Sequence, residues 1–188
     1  MTKYATIKSF IFISQLHDCQ YVIIFNNLKM EGDEMEQVEI VFYEEKYLAD
    51  FKRLGYEWLE KYVTVEPEDV KILNAPKEII LDNGGFIFFA KYKQEIVGTV
   101  SLIRVDDHTF ELAKLAVTEK YKGLKLGNLL METAIQTAKK QQAEKIILYT
   151  DHKLPTALLL YKKFGFQEIP MVNNKYLDSD IMMSLQLD

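Results

Sequence analysis

Two stretches of this chain combine residue types that can do chemistry. The first is Phe110-Glu111-Leu112-Ala113-Lys114-Leu115-Ala116-Val117, which leads after Thr118–Tyr121 into Lys122-Gly123-Leu124-Lys125-Leu126-Gly127-Asn128. A strand that ends in a loop rich in Gly and Lys, and then opens a helix, turns successive backbone N–H groups and the positive end of the helix toward one point. Such a point seats a phosphate or pyrophosphate, and the ammonium groups of Lys122 and Lys125 add charge. The same pattern also serves as an ordinary helix cap, and the loop by itself does not separate the two. The second stretch is Leu154-Pro155-Thr156-Ala157-Leu158-Leu159-Leu160-Tyr161-Lys162-Lys163-Phe164-Gly165-Phe166. A tyrosine hydroxyl there is a proton donor at neutral pH, because its ordinary pKa is about 10. Tyr161 equally fits a core aromatic at helical spacing. Glu111 puts a carboxylate on the strand, either as a base or as a solvated charge.

Other constellations fail. His17, His108 and His152 are scattered with no i, i+4 pair, which argues against a zinc site, and His108 follows Asp106-Asp107 in what reads as an exposed turn. The single cysteine, Cys19, permits neither an intramolecular disulfide nor a cysteine metal cluster, and it reads as a small apolar residue rather than a nucleophile.

The chain that must position these groups has 188 residues, enough for one domain with a sizeable core. Its formal net charge of −5 leaves no excess of cations to neutralise a run of nucleic-acid phosphates. No apolar run reaches the roughly 18 residues of a spanning helix. Ser14–Gln20 divides the two apolar pieces near the start, and no secretory signal follows Lys3, so a cytoplasmic location is expected.

Residues 1–36 read as an extension with two β-rich runs, Ser9–Ser14 and Tyr21–Phe25; the Glu-Gly-Asp before Met35 suggests that translation starts naturally at Met35. From Val38 the element types alternate. Val38–Tyr43 reads as a strand, and Tyr47, Phe51, Leu54, Trp58, Leu59 and Tyr62 give helical periodicity from Glu45 to Val63. A shorter helix starts at Pro67 and ends or bends at Pro76. Turn signals at 82–85, 93–95 and 106–108 separate three β-rich runs, Phe86–Tyr92, Ile96–Val105 and Phe110–Val117, which predict an antiparallel meander. A helix over Leu124–Gln141, a strand at Ile146–Thr150, a helix from Pro155 stopped by Gly165, and strands at Phe166–Ile169 and Ile181–Leu187 complete the chain.

In this order the two chemical stretches resemble the acetyl-CoA motif and the later Asn-x-x-Ala-x-x-Leu-Tyr-x-x-x-Gly-Phe helix of the GNAT superfamily of N-acetyltransferases. The resemblance runs from about Val38 to Leu187 and includes a Glu-Trp-Leu-Glu-Lys-Tyr helix segment, Glu57–Tyr62. The family's loop reads Gln/Arg-x-x-Gly-x-Gly/Ala. Here the matching positions are Lys122, Lys125 and Gly127, so a lysine stands where the family usually has glycine; the family's asparagine is Leu154, for which Asp151 or His152 is the nearest substitute.

The resemblance implies an α/β (α+β) GNAT acyl-CoA N-acyltransferase fold, with a mixed sheet of about six to seven strands flanked by about four helices. It implies an N-acetyltransferase domain over 37–188 that uses acetyl-CoA as co-substrate and moves its acetyl group to a primary amine. The amine belongs to a small molecule or a peptide, and a homodimer is compatible with the pattern. Coenzyme-binding positions carried over are Leu115, Ala116, Val117, Lys122, Gly123, Leu124, Lys125, Leu126, Gly127, Asn128 and Tyr161. Tyr161 is the expected acid for the leaving thiolate. Glu111, taken to share a strand face with Leu115 and Val117, is the expected base. Glu57 and Glu60 are candidates for holding a cationic acceptor; Trp58 and Tyr62 fit either the core or a wall of the acceptor pocket, with core the first reading for Trp58. The alternative is a catalytically silent acetyl-CoA-binding module for regulation or interaction, which Lys125 and Leu154 motivate.

Overall fold

The computed structural model describes residues 11–16, 20–25, 38–172 and 174–188. His17, Cys19 and the expected start at Met35 lie outside these residues. The described strands are β1 (Ile11–Leu16), β2 (Gln20–Phe25), β3 (Val38–Phe42), β4 (Phe86–Tyr92), β5 (Glu95–Arg104), β6 (Thr109–Val117), β7 (Lys145–Thr150), β8 (Gln167–Ile169) and β9 (Ile181–Gln186). They form one sheet in the order β1-β2-β3-β4-β5-β6-β7-β9-β8. Every neighbouring pair is antiparallel except β6–β7. A parallel pair needs a crossover, and the helix α3 (Leu126–Lys140) supplies it. Strands β3 to β9 are the expected mixed sheet of seven. The β1–β2 hairpin lengthens it at the β3 edge.

Two apolar layers sandwich the sheet. On one face Leu126, Leu130, Met131, Ala134 and Ala138 of α3 pack with Phe88, Val100, Leu102, Phe110 and Leu112. On the other, α1 (Leu48–Tyr62) and α2 (Pro67–Asn74) bury Phe51, Leu54, Leu59, Ile72 and Leu73 against Ile87, Phe89, Ile96 and Ile103. Alternation along β4 and β5 sends successive side chains to opposite layers, and both strands are buried nearly throughout because helices cover both faces.

Local details follow from particular residues. The helix expected over Glu45–Val63 begins as a 3₁₀ turn at Glu45–Tyr47 before becoming α1. Glu66 and Asp69 form a capping box at the start of α2, with Pro67 in its first turn. A π turn at Lys77–Leu81 leads to Gly85, where an added Cβ would lie 2.4 Å from the Leu102 carbonyl oxygen and 2.8 Å from that of Ile80. Glycine is therefore what lets β4 start beside β5. Lys93 and Gln94 both take positive φ, 48° and 65°, in the two-residue turn between β4 and β5. The last helix, α4 (Pro155–Lys163), is stopped at Gly165 with φ 90°. Leu159 on α4 is 71% exposed and lies off the face that Tyr161 buries. Among the described residues no helix is long and apolar enough to cross a membrane.

Candidate active site

The site begins where β6 and β7 part. Their parallel pairing covers only Thr109–Glu111 against Lys145–Ile147. Beyond it β6 stays on β5 and β7 stays on β9, leaving the Leu112–Val117 edge without a strand partner on the β7 side. At this point β6 carries a bulge: the register passes from Ala113 opposite Ser101 to Ala116 opposite Thr99, so Lys114 and Leu115 together face Val100. Lys114 takes φ 53° there. The extra residue exchanges the faces of everything downstream. Leu115 and Val117 join Phe110 and Leu112 in the α3 layer, whereas Ala113 and Ala116 belong to the α1–α2 layer. The expected shared face of Glu111 with Leu115 and Val117 is thus corrected, because simple alternation fails across the bulge.

A cleft of about 110 Å³ lies along this splayed segment. Its walls include Leu112–Ala116 from β6, Tyr149–Asp151 at the end of β7, Leu154 and Tyr161 of α4, Trp58 of α1, Glu66 and Asp69 of α2, and Tyr176 and Asp178 from the loop before β9. Trp58 does both things its position allowed, packing against the α1–α2 core layer and lining the cleft.

Tyr161 is 9% exposed, and among the described residues nothing hydrogen-bonds to its hydroxyl. Burial pushes that hydroxyl up to about 12, so it holds its proton through neutral pH. Glu111 is 3% exposed. One carboxylate oxygen accepts from the Tyr176 hydroxyl at 2.8 Å, and the other pairs with Lys175 Nζ at 3.0 Å. Burial and the Glu111 charge together hold the Tyr176 hydroxyl well above the usual tyrosine range. Lys114, buried at the bulge, pairs with Asp69 of α2, and its ammonium lies 5.4 Å from the centre of the Tyr176 ring.

The loop before β9 is tied down across the cleft. Glu66, 6% exposed, accepts the backbone N–H groups of Leu177 at 2.8 Å and Asp178 at 2.7 Å; Asp178 accepts the N–H of Thr64 at 3.2 Å. None of these four residues carries a local signal for the contact. They are joined across 111 or more positions of sequence.

The Lys122–Asn128 loop forms the start of α3. Gly123 has φ 86°, and Lys125 is in the left-handed conformation at φ 57°, ψ 20°. The left-handed turn delays α3 to Leu126, two residues past the expected start, and lets a lysine serve where the family usually has glycine. Asn128 and Leu129 donate to the Lys125 carbonyl, while the N–H groups of Gly123, Leu124, Lys125, Leu126 and Gly127 take no backbone acceptor among the described residues. Five consecutive unpaired donors at a helix N-terminus are a seat for an anion. The side chains of Leu124 and Leu126 turn into the core, so these residues offer only backbone. Lys122 does not add free charge: its ammonium is bound by Glu119 and the Tyr62 hydroxyl. A cation missed from the sequence is nearby, since Lys163 of α4 bonds Asn128 Oδ1. An ideal Cβ on Gly127 would lie 3.6 Å from Leu160, so α3 and α4 adjoin here.

Of the two substitutes for the family's asparagine, Asp151 lines the cleft, with Oδ1 accepting the Lys153 N–H at 2.6 Å. His152 is exposed and bound to Asp180 at 3.0 Å. Glu57 accepts from Thr118 at 2.7 Å and ties α1 to the end of β6; neither it nor Glu60 lines the cleft.

Comparison with known proteins agrees with this geometry. Residues 42–166 match the model of the Acetyltransferase (GNAT) family. A GNAT-family acetyltransferase of Staphylococcus aureus superposes with TM-score 0.74 at 27% identity, covering 80% of this chain and 99% of that one. The yncA protein of Salmonella typhimurium, solved with its cofactor acetyl-CoA, superposes with TM-score 0.63 at 20% identity over 80% of this chain and 94% of its own. An uncharacterised N-acetyltransferase of Dictyostelium discoideum is 43% identical over 58 residues, a stretch that spans 31% of this chain and 27% of that protein.

Proposed function

Because the chain belongs to the GNAT acetyltransferase family, we propose that it moves the acetyl group of acetyl-CoA to a primary amine by direct attack, over a transferase domain of residues 37–188. When bound, acetyl-CoA supplies an acyl group already activated as a thioester. The residues present suit it: five unpaired backbone donors at Gly123–Gly127 for the pyrophosphate, and a free strand edge at Leu112–Val117 for an extended amide-bearing arm.

An alkyl amine, with a pKa of about 10.4, arrives protonated and must lose a proton before it attacks. Glu111 is the proposed base. A carboxylate has about four acceptor positions, and Tyr176 and Lys175 use two of them, so Glu111 keeps capacity to take that proton. Backbone N–H groups on the splayed part of Leu115–Val117 are the proposed donors to the carbonyl oxygen as negative charge builds on it. Tyr161 donates its proton to the departing sulfur. The observation that carries this reading is the Tyr161 hydroxyl, buried, protonated and unpartnered in the wall of the cleft. A protein that only bound the coenzyme would have no use for such an acid, and the left-handed backbone at Lys125 removes one motive for that alternative.

The test is release of free thiol from acetyl-CoA with a panel of amines. Release that depends on an amine and falls in both Tyr161→Phe and Glu111→Gln supports an acetyltransferase. Coenzyme binding without release from any amine supports the silent module.

A further inference from the structure

The cleft is lined by five carboxylates, Glu66, Asp69, Glu111, Asp151 and Asp178, and by one ammonium, Lys114. Lys153 and Lys175 reach Asp151 and Glu111 at 3.6 and 3.0 Å, so carboxylates still outnumber ammonium groups five to three. Like charges lining one cleft repel, and an entering cation relieves that repulsion. The same walls carry aromatic faces, Trp58, Tyr149 and Tyr176, and the chain itself already places two alkylammonium groups against one of them, Lys114 at 5.4 Å and Lys175 at 5.3 Å from the Tyr176 ring centre. The unpartnered Tyr161 hydroxyl, 9% exposed, faces the same space and marks it as a ligand site independently of the acids.

Chemistry decides how many charges the acceptor carries. The nitrogen that attacks has to be neutral when it does so, and a site that held the acceptor only through that nitrogen's charge would lose its grip at the moment of reaction. Binding that persists into the transition state is what accelerates the step. We infer that the acceptor is an alkyl diamine or longer polyamine, one nitrogen losing its proton to attack while a second, still an ammonium, stays on the cleft carboxylates and aromatic faces. This rests on the acetyl-transfer reading above. The protons balance: the reacting ammonium gives one proton to Glu111 before it attacks, the N–C bond forms as the C–S bond breaks, Tyr161 gives its proton to the sulfur and regains one from the second proton that the acylated nitrogen sheds, and Glu111 returns its proton to solvent. An acceptor with a carboxylate near its amine is repelled by the same walls.

Equilibrium binding tests this without needing turnover. Titration calorimetry first measures coenzyme A on the full chain; absence of that heat would sink the acetyl-transfer reading itself. With coenzyme A saturating, 1,4-diaminobutane, butylamine and 4-aminobutanoate are titrated in turn. The expected order has the diamine about tenfold tighter than butylamine and 4-aminobutanoate weakest, the order that charge pairing in a partly desolvated cleft produces. Asp178→Asn, which keeps the shape at the rim, should weaken the diamine about fivefold and butylamine less. The inference is overturned if 4-aminobutanoate binds as tightly as the diamine, or if none of the three binds a chain that binds coenzyme A.

Discussion

The Tyr176 hydroxyl donates to Glu111 at 2.8 Å across 65 positions of sequence, tying the loop before β9 to the strand at the centre of the sheet. The bond satisfies one oxygen of a buried carboxylate, so Tyr176→Phe should cost about 1–3 kcal/mol and lower the melting temperature by about 3–10 °C. Thermal unfolding of the two proteins checks this. An unchanged midpoint would mean that the loop does not depend on Glu111.

Tyr161→Phe keeps the ring in the core and removes only the acid. The turnover rate should fall about 10²- to 10⁴-fold with coenzyme affinity nearly unchanged. It should also change stability in alkali. The hydroxyl ionises near its ordinary value of about 10 in the unfolded chain but near 12 in the fold. Between these values the unfolded state has released the proton and the folded state has not, so stability falls as pH rises through that window. The wild type should lose on the order of 2 kcal/mol more than Tyr161→Phe between pH 10 and 12, read from urea unfolding.

Lys125 holds a left-handed backbone in which a Cβ is unfavourable. Lys125→Gly should therefore stabilise the fold by about 1 kcal/mol. The unpaired donors come from the backbone, so coenzyme affinity should fall only by the loss of one charge. Chemical denaturation and calorimetry report the two effects separately.

Gly85→Ala should do the opposite. The added methyl would meet two backbone carbonyl oxygens, which cannot rotate away as a side chain would. A loss of about 2–4 kcal/mol is expected, with the urea midpoint as the measure.

Much of this architecture was legible in the chain because its signals are local. The meander β4–β6 follows from turn residues and β-rich runs, and α4 lies between Pro155 and Gly165 as its ends predict. The turn of Gly- and Lys-rich backbone before α3 was legible for the same reason. What escaped was non-local or had no residue signature. Nothing about a lysine announces positive φ, so the bulge at Lys114 and the exchange of faces beyond it stayed hidden. Glu66 reads as a helix cap, yet it also holds Leu177 and Asp178, contacts that only the closed fold creates. Lys163 was read as a helix residue and belongs equally to the start of α3.

The parting of β6 from β7 bears on how this chain can change. In the proposed reading this edge holds the coenzyme through peptide groups, which make their bonds whatever side chains are attached, and Leu154, whose side chain has no amide to offer, lines the same cleft. Side chains along such an edge are released from recognising the coenzyme and, Lys114 with its Asp69 partner apart, are constrained only by packing. A mutational scan of Leu112, Ala113 and Leu115–Val117, leaving out Lys114 with its Asp69 ion pair, should then tolerate any residue of suitable volume and reject proline, whose missing N–H and fixed φ remove what the edge provides. The acceptor walls, made of side chains, have no such freedom, so new specificity can arise there while the grip on the coenzyme is kept.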